Sequence, residues 1–415
     1  MNTQTYIARI THPKTLAGRL RTACTTSLLP LLLLFALPAA VQAQFNIIIT
    51  NGTVTITGCT GLGAVTIPST INGLPVTRIG DSAFAFCPLS SVTIPNSVTN
   101  IGDHAFAECT SLNAIAVDTL NPAYSSFNGA LLDKNQTTLI QCPANKVGSY
   151  TIPSSVTTIA SWAFIYCSRL TRVIIPDSVT SIGENAFCAC TGLSTVAIPN
   201  GVTAIPDDVF YDCSGLTSAT LGGRVTSIGM QAFTACTSLT NITLPNGLTF
   251  IGNEAFQGCG HLTGIALPSS VASIGDWAFG GTSLTNVTIP TAVAAIGPGA
   301  FAGCTSLAAI TVDALNASFS SVGGVLFDKD QTTLLQYPAG KAGGYYTVPG
   351  TVTSIGSGAF AFCTWLNTIT NPASVINVAS DAFQCSSRLT AVYFLGNAPS
   401  GADSNTFSVF AYSSG

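Results

Sequence analysis

The chain has 415 residues, of which 47% are hydrophobic and only 7% are charged, and its formal net charge is −4. So few charges exclude a nucleic-acid binder, which needs a dense set of lysine and arginine side chains. The high hydrophobicity excludes a disordered chain, because disorder accompanies low hydrophobicity and high net charge.

The first 43 residues have the layout of a secretory signal peptide. Four basic residues precede the apolar stretch "LLPLLLLFALPAA", which leads into Val41, Gln42 and Ala43. This stretch is too short for a comfortable membrane span, and a single-span anchor is the alternative reading. We expect cleavage after Ala43 and export to the cell surface or the extracellular space. The mature chain would then carry 9 basic and 17 acidic residues (9 − 17 = −8) and no membrane span.

The rest of the chain repeats itself about every 23 residues. An Ala-Phe or Val-Phe dipeptide places phenylalanines at positions 84, 106, 164, 187, 210, 233, 256, 279, 301, 360 and 383. A period of 20–29 residues with a Leu-x-x-(Val/Ile)-x-(Ile/Leu) core is typical of leucine-rich repeats. We predict a capping coil at residues 44–75, a solenoid at 76–395 and a short polar tail at 396–415.

Each coil is predicted to contain two short strands and one turn of helix. In one coil, "LTNITLP" alternates like a half-buried strand that ends at Pro245, and "LTFIG" is a second extended piece. The segment "NEAFQGC" suits a single helical turn. A lone coil buries too little apolar surface to fold, so the coils must stack on one another. The repeats and inserts together amount to about 14 coils. The side chains expected to point inward are Phe256, Cys259, Leu262, Ile265 and Leu267.

Two matching inserts, at about residues 117–150 and 312–346, lengthen the spacing to 58 and 59 residues. Each is predicted to be a hairpin, "ALLDKNQTTLIQC" or "VLFDKDQTTLLQY", that extends the ladder of strands. Asp133 and Asp328 begin polar strings that resemble the start of a calcium loop, but both strings lack its glycine and closing glutamate. A hairpin turn is therefore the preferred interpretation, and weak calcium binding is the alternative.

Fourteen cysteines are present, and nine of them occupy one slot, three residues before the repeat leucine. Neighbouring coils would bring these cysteines within disulfide reach, and an exported protein can oxidise them. Buried thiols are the preferred interpretation, since free cysteine behaves as a small hydrophobic residue. Occasional disulfides remain an alternative, and we predict no metal site.

The recurring string "VTSIGxxAFxxCTSLTxVxIP", together with the "FSSVGGVLFDKDQTTLLQYPAGK" insert, resembles the BspA-like leucine-rich repeat family of secreted and surface proteins. The resemblance covers about residues 47–396. It implies a right-handed repeat solenoid of the α/β, strand-dominated class. It also implies adhesion or protein–protein binding as the commonest role, with no catalytic site shared among members.

Catalysis lacks its usual parts in this sequence. Only His104 and His261 follow the expected cleavage site, both at variable positions that should face solvent. Acids recur just before Ala-Phe, where helix starts explain them better than a pair of hydrolytic carboxylates. We therefore predict that the chain is not an enzyme and needs no cofactor.

Large aromatic side chains cluster around the predicted helical turn. Aromatic residues are favoured at protein interfaces, so a binding ridge is one interpretation, and packing against neighbouring coils or inserts is the other. The candidate binding residues are Trp162, Tyr166, Tyr211 and Trp277.

The sequence thus supports two roles. The first is a monomeric, secreted or cell-surface protein that binds a protein or a glycan along an extended face. The alternative is a structural envelope or spacer protein without a specific ligand.

Overall fold

A computed structural model describes residues 44–400, so the expected signal peptide and the last 15 residues lie outside the described residues. The described residues form a strand-dominated solenoid of about 15 turns. All regular elements within residues 44–400 are β-strands, and no helix is assigned in this range.

The strands follow one another in chain order and divide at the two inserts. The first group comprises β1 (Phe45–Thr50), β2 (Thr53–Cys59), β3 (Gly63–Thr66), β4 (Thr70–Ile71), β5 (Leu74–Ile79), β6 (Leu89–Ile94), β7 (Asn100–Ile101) and β8 (Ala114–Val117). The first insert contains β9 (Tyr124–Phe127), β10 (Ala130–Asp133) and β11 (Thr138–Gln141). The middle group comprises β12 (Gly148–Thr151), β13 (Thr158–Ile159), β14 (Leu170–Ile174), β15 (Ser181–Ile182), β16 (Thr195–Ala197), β17 (Ala204–Ile205), β18 (Ser218–Thr220), β19 (Ser227–Ile228), β20 (Asn241–Thr243), β21 (Phe250–Ile251), β22 (Ser273–Ile274), β23 (Asn286–Ile289), β24 (Ala295–Ile296) and β25 (Ala309–Val312). The second insert contains β26 (Phe319–Val322), β27 (Val325–Asp328) and β28 (Thr333–Gln336), and the last group comprises β29 (Tyr345–Thr347), β30 (Ser354–Ile355), β31 (Thr368–Asn371), β32 (Asn377–Val378) and β33 (Ala391–Phe394).

Two parallel ladders run along the stack of coils. The first ladder consists of the strands with the Leu-x-x-Val core, in sheets such as β12-β14-β16-β18-β20. The second ladder consists mainly of two-residue strands, in sheets such as β17-β19-β21-β22-β24. Registry repeats from coil to coil, with Ala219 opposite Ile242 in the first ladder and Ile228 opposite Ile251 in the second. Equivalent side chains therefore lie above one another along the core.

The first ladder is interrupted at residues 264–267, which form no strand. Ile265 and Leu267 are only half-buried there but pack against the core as predicted, whereas Phe256, Cys259 and Leu262 are fully buried. The next coil, "FGGTSL", is one residue short. The side chains of the next strand keep their faces, because Val287 and Ile289 are buried as Ile242 and Leu244 are.

A column of phenylalanines forms the centre of the core. Phe256 is fully buried and stacks on Phe233 and Phe279, with ring centroids 5.3 Å away on each side. These ring pairs are within 4° of parallel. The repeated Ala-Phe dipeptide therefore supplies one aromatic layer per coil, and the stacked coils bury what a single coil cannot.

The predicted one-turn helix does not form; the Ala-Phe segment is a chain of tight turns instead. Alternate amides bond to the next coil, as Phe256 N donates to Ala278 O at 2.7 Å. The amides between them bond locally, as Gln257 N donates to Glu254 O at 3.0 Å. Glu254 and Gly258 adopt left-handed backbone conformations, with φ of 57° and 72°. Hydrogen bonds to the neighbouring coil replace those a helix would make within itself.

Each insert adds one rung to the second ladder. In the first insert, β10 pairs antiparallel with both β9 and β11, and β11 pairs parallel with β13 of the next coil. In the second, β27 pairs antiparallel with β26 and β28, and β28 pairs parallel with β30. Neither insert contains an Ala-Phe turn segment. The stack of turns is therefore interrupted at both inserts.

Candidate functional site

The stacked turn segments form one continuous edge of each repeat block, which we call the turn ridge. It comprises residues 80–88, 102–110, 160–168, 183–191, 206–214, 229–237, 252–260, 275–282, 297–305, 356–364 and 379–387. Most of these segments place two residues, four apart, in the left-handed conformation. A non-glycine residue there costs about 1–2 kcal/mol, so the fold holds these side chains in conformations the chain would not choose alone.

Three of the four predicted binding residues lie close together on the turn ridge. Trp162 and Tyr166 occupy the two left-handed positions of one turn, with φ of 65° and 56°. Tyr211 lies two coils further on, and its carbonyl accepts a hydrogen bond from Ala189 N of the intervening coil. Tyr166 and Tyr211 are each 37% exposed, and Trp162 is half-buried.

Trp277, the fourth predicted residue, belongs to a separate cluster. It lies five coils beyond Trp162, or roughly 24 Å at ~4.8 Å per rung. Its ring meets Phe362 edge-on, with centroids 6.5 Å apart, across the second insert. Trp162 likewise meets His104 at 5.0 Å across the first insert. Both tryptophans thus pack across an insert while remaining partly exposed.

Charges are segregated between the turn ridge and the rest of the chain. The ridge contains no lysine or arginine, yet it carries ten of the 17 acidic residues. These are Asp81, Asp103, Glu108, Glu184, Asp207, Asp208, Asp212, Glu254, Asp276 and Asp381. Among the described residues, one ion pair forms, between Arg78 and Asp81 at 3.2 Å. Apart from Asp81, the ridge acids have no ion-pair partner among the described residues, so the ridge presents a net negative charge.

Burial, and for Asp208 also neighbouring carboxylates, raises the pKa of two of these acids. Partial burial and nearby carboxylates, Asp207 first, raise the pKa of Asp208 above its ordinary value. Burial raises the pKa of Glu108 as well. The pKa of the Tyr166 hydroxyl is raised by burial and then by the charge of Glu108. A cationic group placed on this surface would relieve the repulsion that these shifts report.

The first insert leaves a cleft of about 420 Å³ in the turn ridge. Its walls include Asp103 and His104 from the preceding turn, Gln141 from β11, and Ser161 and Trp162 from the following turn. Asp103, His104 and Ser161 are exposed, whereas Gln141 is only 7% exposed. The cleft therefore combines an aromatic ring, a carboxylate and a buried amide.

The second insert leaves a smaller cleft of about 190 Å³ at the equivalent place. Gln336 takes the position of Gln141 and is 2% exposed. Pro298 and Gly299 replace the aspartate and histidine, and Gly358 follows Ser357 where Trp162 follows Ser161. A side chain at Gly358 would lie 3.4 Å from Gly299, so these two turns approach closely.

The cysteine slot forms a ladder of thiols. Six thiols donate to the phenylalanine carbonyl of the preceding coil, as Cys213 Sγ does to Phe187 O at 3.1 Å. Cys167 and Cys363, which follow the inserts, donate to carbonyls of the inserts instead. Ser386 takes over this role in the last coil, with Oγ 2.5 Å from Phe360 O. Cys59 and Cys87 form a disulfide, and eleven other described cysteines are free. Burial raises the pKa of most of these thiols, to about 12 for Cys259.

The aspartates at the tips of the inserts are used within their own turns. Asp328 accepts hydrogen bonds from the Thr332 hydroxyl at 2.7 Å and from the Thr333 amide at 2.9 Å. Burial acts to raise its pKa, but these bonds outweigh that effect, and the pKa is lowered. Asp133 makes the equivalent bonds to Thr137 and Thr138. This geometry favours the turn over the calcium interpretation.

The two histidines do not form a catalytic arrangement. Both side chains are exposed, as the sequence predicted. His104 contacts Trp162, and His261 Nδ1 lies 2.6 Å from the carbonyl oxygen of Thr237. No group of three or more histidine, cysteine or acidic side chains suited to a metal ion occurs within residues 44–400.

Sequence reasoning missed two pairs of buried polar residues in the inserts. Asn121 and Asn316 are fully buried, and Gln141 and Gln336 nearly so. The sequence offered one signal for them: the same residue stands at the equivalent position of both inserts. For the asparagines these positions are in "LNPAYSSF" and "LNASFSSV". A further exposed aromatic residue, Trp365, stacks with Arg388 at 5.5 Å.

Comparisons with known proteins give one family match. The family described as "BspA type Leucine rich repeat region" matches at residues 46–145, 141–238, 226–339 and 344–414, in six copies. No match was found among curated proteins. Within residues 44–400, no helix is long and apolar enough to cross a membrane.

Several solved structures are similar to this chain. A leucine-rich repeat protein from Bacteroides ovatus is 22% identical, with a TM-score of 0.52 over 86% of this chain and 87% of that one. A leucine rich cell surface protein from Faecalibacterium prausnitzii is 29% identical, with a TM-score of 0.36 over 85% and 75%. A leucine-rich repeat protein from Eubacterium ventriosum is 30% identical, with a TM-score of 0.47 over 54% of this chain and 66% of that one. The first of these supports the repeat fold.

Proposed function

The chain belongs to the BspA-type leucine-rich repeat family, and on that premise we propose that it is an exported, non-catalytic protein that binds a protein partner through its turn ridge. The partner would carry a basic surface, because ten acidic residues and no basic ones lie on that ridge. Complementary charge of this kind steers association and selects partners. The segregation of charge is the observation that carries the proposal.

Aromatic side chains on the same ridge support a contact surface. Tyr166 and Tyr211 are more than one-third exposed, and Phe86 is 71% exposed. Aromatic residues bury large areas at low entropic cost, which is why interfaces favour them. We propose Tyr166 and Tyr211 as one protein-contact cluster and Trp277, beside Phe362, as a second, whereas Trp162, on the same turn as Tyr166, lines the cleft at the first insert.

Export is supported by the composition of the first 43 residues. A basic segment, a short apolar stretch and a small-residue exit occur there in the order of a secretory signal peptide. The Cys59–Cys87 disulfide suits the oxidising conditions outside the cytoplasm. Intact producing cells should therefore lose the protein to an added protease, or the protein should accumulate in the medium. Protection until the envelope is opened would contradict export to the surface.

A spacer role without a ligand is favoured by the first ladder instead. Hydroxyl groups there satisfy one another and the backbone, as Thr288 and Thr311 do at 2.9 Å. Thr240 Oγ1 similarly donates to Thr217 O at 3.1 Å. Such a surface offers small side chains that are already paired. We assign this face a structural role and the turn ridge the binding role.

Neutralising ridge acids should weaken binding of a basic ligand about tenfold. The triple variant Glu108→Gln, Asp208→Asn, Asp212→Asn removes three charges, each worth up to about 0.5 kcal/mol at an exposed site. Asparagine tolerates the left-handed conformation that both aspartates adopt. The measurement is fluorescence anisotropy of a labelled lysine decapeptide at low and physiological salt, with a glycine-serine decapeptide as the neutral ligand.

The matched control removes the same charge outside the turn ridge. Asp177→Asn, Asp313→Asn and Asp330→Asn change the net charge equally and should reduce decapeptide affinity less than twofold. Equal losses in both triple variants would mean that only net charge matters, and the turn ridge would not be the binding face.

A further inference from the structure

We propose that the first cleft is a carbohydrate-binding site that takes one hexopyranose ring, stacked on Trp162 and hydrogen-bonded by Asp103, Gln141 and the backbone of the preceding turn. This site is separate from the proposed protein contact, because a basic partner could bind the turn ridge with the cleft empty. The shared chemistry is that of a polyhydroxylated ring, from a free sugar or from the end of a glycan.

The insert creates unpaired donors on one wall of the cleft. In regular coils, alternate turn amides donate to the next turn, as Phe210 N does to Ala232 O at 2.9 Å. The turn at residues 102–110 is followed by the insert, which has no turn to accept these bonds. The amides of His104 and Phe106 consequently have no carbonyl partner among residues 44–400. Both residues line the cleft.

The same interruption leaves the Asp103 carboxylate without its usual partner. In a regular coil, Asp207 Oδ1 accepts a hydrogen bond from Met230 N of the next turn at 2.7 Å. Asn253 does the same with Asp276 N at 2.9 Å. Asp103 occupies this position but faces the insert, and its carboxylate makes no hydrogen bond within the described part of the chain. It is therefore a free acceptor.

Gln141 supplies an acceptor from the lining of the cleft. Its Nε2 donates to Cys142 O at 3.1 Å and to Ala163 O at 3.4 Å, which fixes the direction of the amide. Its Oε1 has no donor among residues 44–400, although the side chain is more than nine-tenths buried. The oxygen is therefore left as an acceptor that water or a ligand in the cleft can use.

Trp162 gives the cleft an aromatic face. It is half-buried and held by an edge contact with the His104 ring at 5.0 Å. Its backbone amide donates to Glu184 O at 3.1 Å, so the turn that carries it is anchored to the next coil. The ring is thus pre-organised, which lowers the entropic cost of binding.

The mixture of free groups distinguishes a sugar from other ligands. A cation would pair with Asp103 and Gln141 but leave the amides of His104 and Phe106 without acceptors. An anion would accept from those amides but meet the Asp103 carboxylate. Each sugar hydroxyl both donates and accepts, and the carbon-bound hydrogens of the ring can pack on an aromatic face. The cleft volume of about 420 Å³ also falls within the range of small-molecule sites.

The second cleft is an internal comparison that lacks some of these groups. It keeps the buried glutamine, Gln336, and two turn amides, of Gly299 and Phe301, that have no carbonyl partner among residues 44–400. It has Pro298, Gly299 and Gly358 where the first cleft has Asp103, His104 and Trp162. The two turns there close on one another, and the volume is about 190 Å³. The carboxylate, the aromatic ring and the larger volume therefore distinguish the first cleft from the second.

The test is saturation-transfer NMR of the purified protein with methyl hexosides and N-acetylhexosaminides. For a ligand of this size we expect a dissociation constant near ~1 mM. Trp162→Gly should weaken binding at least tenfold, and Asp103→Asn severalfold. Glycine fits the left-handed conformation of residue 162, so this variant should keep the fold. A glycan array distinguishes a free sugar from the end of a glycan. Binding to terminal sugars of arrayed glycans but not to methyl glycosides would show that the ligand is a glycan.

Trp277→Gly is the matched control, since Trp277 has φ of 53° and lies outside the first cleft. It should change sugar affinity less than twofold. No signal from any sugar at about 20 mM or from any arrayed glycan, or equal losses in both tryptophan variants, would overturn the inference. Failure of the sugar site can be told from failure of the proposed protein contact by measuring lysine decapeptide binding. Trp162→Gly leaves every ridge acid in place, so it should still bind the decapeptide. Loss of decapeptide binding in Trp162→Gly would assign the cleft to the protein contact and overturn the sugar site.

Discussion

Replacing Asn316 with alanine is expected to lower the free energy of unfolding by about 4 kcal/mol. The side chain is fully buried, and its Nδ2 donates to Pro290 O at 2.7 Å and to Val293 O at 2.9 Å. Its Oδ1 accepts from Ser318 N and Phe319 N, both at 2.8 Å. Truncation removes the asparagine from all four groups, and only Pro290 O keeps another donor, Val293 N at 3.3 Å. Each buried group left unsatisfied costs about 1–3 kcal/mol, and relaxation reduces the sum.

The measurement is urea denaturation followed by circular dichroism, with hydrogen exchange at the amides of residues 318 and 319. Leu315→Ala is the matched control, because Leu315 precedes the asparagine and is 80% exposed. It should cost less than about 0.5 kcal/mol. Unchanged exchange at both amides in Asn316→Ala would show that other groups hold the start of the insert. Asn121 makes the same bonds in the first insert, so its alanine variant should behave alike.

The repeat and its buried positions could be predicted from the sequence because each coil has the same registry. The spacing of Ala-Phe predicted an aromatic layer per coil, and Phe256 stacks in register with its neighbours as expected. The family resemblance is also confirmed, by a match over most of residues 46–414. Repetition makes such inferences strong, since one error would have to recur in every coil.

The turn segment could not be predicted from a single coil. "NEAFQGC" has the composition of a helix start, but half of its amides bond to the next coil. The left-handed conformation of Glu254 depends on that neighbour, and nothing in the local sequence requires it. Propensity describes an isolated segment, whereas here contacts between coils decide the backbone.

The clefts were missed for a related reason. The sequence identified both inserts, but a cleft arises from what an insert lacks, which is a turn segment to continue the ridge. In the sequence, Asp103 is one more acid before Ala-Phe. Its carboxylate is unpaired because the insert that follows it has no turn amide to donate to it. Trp162 was chosen as a binding residue from its type, without knowledge of the partner ring of His104.

The phenylalanine column should be the most sensitive part of the core. Phe256→Ala is expected to lower the free energy of unfolding by about 3–5 kcal/mol, the usual range for a large cavity in a core. Phe256 is fully buried, and it packs on a ring on each side, so neither neighbour can close the gap without leaving its own coil. Its backbone is also tied to the next coil at Ala278 O, which limits relaxation.

Phe250→Ala is the matched control, since Phe250 is 43% exposed on β21 of the same coil. It should cost less than about 1 kcal/mol. In a solenoid each coil contacts only its neighbours, so the defect should speed hydrogen exchange most in coils next to Phe256. A uniform increase along the whole solenoid would indicate one cooperative unit. Equal losses in the two variants would contradict the stacked column as the main source of stability.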